Sequence, residues 1–237
     1  MISKKSLLAL SIGAILSISL VTSGGITQVF ADDDDRHKGK PHLKNDQCFV
    51  TTMAQGLLSQ EAKDNVNCKI KAWFNKDGTA LFYKIKIDGM TVSGDSKGQD
   101  TVSKMHLHEI FMTNPQGEPM MSPKHILNIW LLPGMDDDDL VAKVGKGKFH
   151  GKWDNSDATD RPGDHDDTFK LTDQVENLCN EKTFLMVHGN GPDNNNDGMP
   201  DSLPGFLKGP LKLTHQGEKV CNKLLDSPNG DNDEDDE

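Results

Sequence analysis

Short runs in which apolar and polar side chains alternate dominate the middle of the chain. They are CFVTTMA from Cys48, CKIKAWFN from Cys68, ALFYKIKIDGM from Ala80, KMHLHEIFM from Lys104, ILNIWLL from Ile126, KGKFHGKW from Lys146 and TFLMVHG from Thr183. A period of two sends successive side chains to opposite faces of an extended backbone, so each run predicts a strand. Turn chemistry separates them: Asn75-Lys76-Asp77-Gly78 joins two runs as a hairpin loop does, and Gly89, Gly94, Gly117, Gly134 and Gly163 punctuate the rest. Only the stretches 55–65 and 173–180 carry a pattern suited to a short helix. Many short, regularly spaced strands predict an all-β fold, an antiparallel immunoglobulin-like or Greek-key β-sandwich. Trp73, Trp130 and Trp153 fall inside the strand runs and are expected in its core.

The two ends break this pattern. An apolar run from Leu7 to Val21 follows Lys4 and Lys5, and a polar stretch then closes on Val29, Phe30 and Ala31. The run is shorter than the roughly 20 residues a membrane span needs, and Ser11, Ser17 and Ser19 dilute it. Residues 1–31 therefore read as a signal peptide, cleaved after Ala31, and the product is expected to be secreted with no integral membrane segment after cleavage. Residues 32–46 have no apolar period and are expected to be a flexible lead-in, with the folded domain over 47–225. From Asp226 onward DSPNGDNDEDDE holds no apolar side chain. Such a tail cannot offset its ordering entropy by burial, so 226–237 is expected to be disordered.

Charge narrows the partners. The formal net charge is −11, and losing Lys4 and Lys5 would make the remainder more acidic still. Beyond residue 31 the only arginines are Arg36 and Arg161, which removes nucleic acid and anionic lipid surfaces as expected partners. An extracellular protein or envelope component is the expected kind of partner. Cys48, Cys68, Cys179 and Cys221 contain no CxxC pair and lie in the exported part, where disulfides form. Of the three possible pairings, Cys48–Cys68 and Cys179–Cys221 join neighbouring segments, and each would contribute about 3 kcal/mol by restricting the unfolded chain.

The histidines carry the chemistry. In KMHLHEI, His106 and His108 are one residue apart, so a strand throws both imidazoles onto one face while Met105 and Leu107 point away. His188 ends the apolar run FLMV and shares a face with Phe184 and Met186. If these two strands are neighbours, the three imidazoles can converge on copper or zinc, with His125, Glu109, water or an open position as the fourth site. The competing reading has each histidine bonded to a backbone carbonyl.

A hairpin such as NKDGTALFYKIKIDGM, a His-x-His strand, a late strand ending in valine-histidine, and Gly205-Phe206-Leu207-Lys208-Gly209 together resemble the chordin-type CHRD domain. Lys208 stands where that pattern usually has arginine. The resemblance spans most of 48–214 and implies an immunoglobulin-like sandwich in an extracellular protein. The same spacing is similar to copper/zinc superoxide dismutase, which would make His106, His108 and His188 copper ligands and His125 the bridging residue. Here the likeness thins: beyond His150, His165 and nearby aspartates there is no further zinc set, and no arginine to steer a small anion. Binding is thus expected ahead of catalysis, with a dismutase-like copper redox enzyme as the alternative.

The loop DNNNDGMPDS spaces Asp193, Asn195, Asp197, Gly198 and Asp201 as Asp-x-Asn-x-Asp-Gly-x-x-Asp. Alternate oxygen donors around a glycine suit calcium, and the loop resembles the calcium repeats of thrombospondin-type modules. Pro204 stands where an EF-hand places its bidentate glutamate, so any calcium here would be held weakly, as in a structural or adhesive envelope protein. The runs Asp136 to Asp139 and Asp164 to Asp167 are expected to be exposed loop faces. No nucleotide-binding loop, nucleophile elbow or cysteine–histidine nucleophile is present.

Overall fold

The computed structural model describes residues 39–51, 54, 58–92, 100–113, 119–130, 137–143, 145–159, 168–191, 193 and 202–226. Within them the chain forms strands β1 (Leu43–Asn45), β2 (Phe49–Val50), β3 (Asn67–Phe74), β4 (Ala80–Asp88), β5 (Thr101–Thr113) and β6 (Pro119–Trp130). β7 (Val141–Lys143), β8 (Lys148–Asp154), β9 (Thr183–Asn190), β10 (Ser202–Pro210) and β11 (Lys212–Leu213) complete the set. One antiparallel sheet runs in the order β11-β1-β3-β4-β8-β7 and the other β2-β10-β9-β5-β6. The expected all-β sandwich is what the chain forms.

Alternation places the core between the two sheets. Ile70, Leu81, Ile85, Phe149 and Trp153 from the first sheet meet Met105, Leu107, Leu185, Val187 and Phe206 from the second, all essentially unexposed. Trp130 and Phe149 touch edge to face with ring centroids 4.9 Å apart. Trp73, Trp130 and Trp153 are buried, and the Trp153 indole N–H donates to the Phe169 carbonyl at 2.9 Å. At the β3–β4 turn, Asn75 Oδ1 accepts the Ala80 N–H at 3.1 Å, and Gly78 takes the left-handed φ of 71° that the turn requires.

Short helices lie where the pattern allowed them, α1 (Gln60–Asn65), capped by the Ser59 side chain, and α2 (Val175–Cys179). A third, α3 (His215–Asp226), is an addition to the sequence reading. It shows only Val220, Cys221 and Leu224 as apolar contacts and has Gly217 in its first turns, so periodicity underweights it. Tertiary constraints hold it: Cys179 is bonded to Cys221 and Leu224 packs against Gly78. A side chain at Gly217 would collide with the His42 carbonyl, at 1.9 Å from its Cβ. The other bond is Cys48–Cys68, and no described cysteine is free.

One boundary differs from expectation. Leu43–Asn45, inside the segment read as a flexible lead-in, is a strand paired on both sides, with Leu43 opposite both Leu213 and Ala72. Leu43 is fully buried, so a single apolar side chain anchors a segment whose composition looked unstructured. Residues 1–31 and the tail beyond Asp226 lie outside the described residues. No described helix is long and apolar enough to cross a membrane.

Candidate metal centre

β5 is the central element of the site because it pairs on both sides, with β9 and with β6. Met105 and Leu107 enter the inter-sheet core, so His106 and His108 project from the opposite face of the same sheet. On β9 the alternation is the same: Leu185 and Val187 join the core, leaving Phe184, Met186 and His188 beside the β5 histidines. The register sets His108 opposite both Phe184 and His125, and His188 opposite Lys104. Bulges between β5 and β6 change the pairing step on either side of His108, and they bring His125 level with it.

The result is a closed histidine group. His106, His108 and His125 place one ligand atom each within 4.8 Å of one another and could hold a metal ion. His106 stacks on His125 with ring centroids 3.6 Å apart, and His108 stands edge-on to both at 4.6 and 4.8 Å. These three are only 1%, 3% and 9% exposed, although they lie on an outward face of the sheet, so the face is covered. The Phe184 ring stacks on His108 at 5.3 Å and fixes its plane.

Hydrogen bonds assign the ring protons. The Asn128 amide oxygen lies 2.9 Å from His125 Nδ1, and an amide oxygen only accepts. His125 thus carries its proton on Nδ1 and its lone pair on Nε2. The Gly205 N–H donates to His188 Nδ1 at 3.0 Å, which puts the His188 proton on Nε2. That Nε2–H faces His106 Nε2 at 2.9 Å. His188 is therefore a donor to His106 Nε2 in this arrangement, which puts the His106 proton on Nδ1, so a metal taken by His106 would displace the His188 bond; the triad closes with His125. The spacing argument had placed His188 third and His125 in the fourth position.

Burial keeps His106 and His188 neutral. Loss of hydration, then the neighbouring imidazoles, drives the His106 pKa far below the ordinary histidine value. Burial likewise lowers His188 to about 4, with smaller contributions from His125 and Lys104. Neutral imidazoles are the form that binds metals. The donor set fits a borderline transition metal, and His106 Nδ1 is enclosed with no hydrogen-bond partner among the described residues. An enclosed polar nitrogen of that kind costs about 1–3 kcal/mol.

The aspartate run contains a surprise. Asp137 is not on an exposed face: it is 6% exposed and accepts hydrogen bonds from the buried Tyr83 hydroxyl and the Asp139 N–H. Asp137, Asp138 and Asp157 bring carboxylate oxygens within 4.8 Å of one another, and burial foremost raises both Asp137 and Asp157 to about 7. The sequence offered no signal for this group, because Asp157 is brought in from beyond β8 by a short helical turn. His150 sits on β8 opposite Lys84 and Val141, outside that group. Of the calcium-type loop only Asp193 is described; Asn195, Asp197 and Asp201 lie outside the described residues, as does His165.

No family model matches the chain, and no curated protein matches it.

Proposed function

We propose that this chain is an exported β-sandwich module of the chordin CHRD type, built around a transition-metal centre of copper or zinc. The observation that carries the reading is the convergence of three buried imidazoles, His106, His108 and His125, from two paired strands. His125 donates its Nδ1–H to the Asn128 amide oxygen, which is the outer support that metal-binding histidines normally have. The His-x-His strand and the valine-histidine strand end shared with CHRD domains support the class. Two disulfides suit an oxidising compartment outside the cytoplasm. When bound, the metal supplies a Lewis-acidic centre at the sheet face; the chain supplies the imidazoles and excludes bulk water.

Elemental analysis of protein purified without a histidine tag tests this directly. One copper or zinc per chain is expected, falling to none in the His106→Ala/His108→Ala double variant. Metal content that is sub-stoichiometric, or unchanged by that double replacement, overturns the assignment.

A further inference from the structure

Charge is not spread evenly over the two sheets. In β3 and β4 the residues Ile70 and Ile85 enter the core, so alternation turns Lys69, Lys71, Lys84 and Lys86 to the outer face of the first sheet. The register then lines these side chains up across the strands. Lys44 on β1 stands opposite Lys71, and Lys71 opposite Lys84; in the next row Lys69 stands opposite Lys86, and Lys86 opposite Lys148 on β8. Neighbouring strands lie about 4.8 Å apart, so each row offers one ammonium per strand at that interval, with about 7 Å between the rows.

Like charges placed directly opposite each other destabilise a sheet. The chain has 37 acidic residues against 26 basic ones, yet these register positions interpose no carboxylate between the lysines of either row. Asp46 and Asp88 pair with Lys44 and Lys86 at the margins, as exposed ion pairs between residues two apart, and such pairs contribute little. Lys69, Lys71, Lys86 and Lys148 are exposed. The Asp46 carboxyl beside the rows is held below its ordinary value, by its hydrogen bond to Lys44 first and by the fields of Lys71 and Lys69 as well. This face already stabilises a carboxylate.

We propose that the outer face of the first sheet docks a linear acidic polysaccharide with a carboxylate on each sugar, laid across β1, β3, β4 and β8 along the two lysine rows. The histidine group is on the second sheet, so this does not depend on the metal reading. One charge per sugar along the polymer meets one ammonium per strand across the sheet. The side chains select this class. Lysines are point charges on flexible stems, which follow a chain of single charges and lack the planar fork that reads base edges. Entry into a lipid surface, or stacking of unpaired bases, needs exposed apolar or aromatic groups. The large apolar side chains exposed among the described residues are Phe49 and Leu225, and neither is on these strands. The bound polymer also neutralises the ammonium groups that oppose one another in the free sheet. A net charge of −11 conceals the face because it averages over the whole chain.

Fluorescence anisotropy with a labelled oligogalacturonate, long enough to cross the four strands, tests this on the full-length protein at low salt in the presence of chelator. Saturable binding is expected, weakening as salt rises because the polymer releases its counterions on binding. The triple variant Lys69→Gln/Lys71→Gln/Lys148→Gln should weaken it by about tenfold or more and flatten the salt dependence. Its thermal midpoint without polymer should be no lower than that of the wild type, since it relieves like-charge pairs. Arginine at the same three positions should keep the affinity. Lys63→Gln/Lys219→Gln/Lys223→Gln removes the same charge from α1 and α3 and should leave binding within about twofold. Absence of binding to the wild type, or equal weakening in both glutamine variants, overturns the proposal. Tighter binding to single-stranded DNA of the same charge, or to phosphatidylglycerol vesicles, overturns it as well and gives the face to that partner.

Discussion

Nε2 of His188 lies 2.9 Å from Nε2 of His106, across the β5–β9 ladder, and the Gly205 N–H on the far side of the His188 ring fixes which of the two donates. This makes His188 a competitor of a metal for the His106 Nε2 lone pair, where spacing along the chain had suggested a ligand. The two roles differ in what replacement does. His188→Leu is expected to keep metal stoichiometry at one with no loss of affinity, because the hydrogen bond it removes occupies the lone pair that His106 would give the metal. His108→Ala is expected to abolish stoichiometric binding. Competition against a chromophoric chelator separates the outcomes, and equal loss in both variants would make His188 a ligand.

Metal should also stabilise the fold, because the three imidazoles converge only when β5 and β6 are paired. At a hundredfold excess over the dissociation constant, one bound ion contributes about 2.7 kcal/mol. For a domain of this size that corresponds to a rise of about 5–10 °C in the thermal midpoint. Calorimetry with copper or zinc, and again after chelation, measures it. The His106→Ala/His108→Ala variant should show no rise.

Asp137 predicts a pH dependence of its own. Its carboxyl titrates near 7 in the folded chain against an ordinary 3.8, because burial beside Tyr83 penalises the charged form. The folded state therefore holds the proton more tightly than the unfolded state. The stability this brings is complete below about pH 4 and is lost as the pH rises through about 7. Asp137→Asn, measured by chemical denaturation in the presence of chelator, should remove that loss, making the variant more stable relative to wild type at pH 8 than at pH 4.5 by about 1–3 kcal/mol. His188 works in the opposite sense, since its depressed value makes acid destabilising between about pH 6.5 and 4, and it is common to both proteins.

The Cys179–Cys221 bond closes a separation of 42 residues and ties α3 to α2. Cys221→Ser with Cys179→Ser should cost about 4 kcal/mol by freeing the unfolded chain. The loss should be local as well. Hydrogen exchange in α3 should accelerate more than in β5, since α3 has few apolar contacts to hold it without the bond.

The strands were legible in the sequence because a period of two is written into the residues themselves, and the runs at 68–75, 80–90, 104–112 and 183–189 each fall on a strand of the sandwich. The same period determined that His106 and His108 share a face. Cysteine order along the chain pointed to the pairing that forms. What the sequence could not decide was which residue completes the triad. That depends on the β6 bulges that lift His125 level with His108, and on a Gly205 amide 17 positions beyond His188 that fixes the His188 proton. Nor could it show that Asp137 is buried, since a run of four aspartates reads as solvated until Tyr83 is seen to reach it from the core. Strand identity is a local property of the side chains, whereas a site is a meeting of distant segments, and only the register between strands says which atoms arrive.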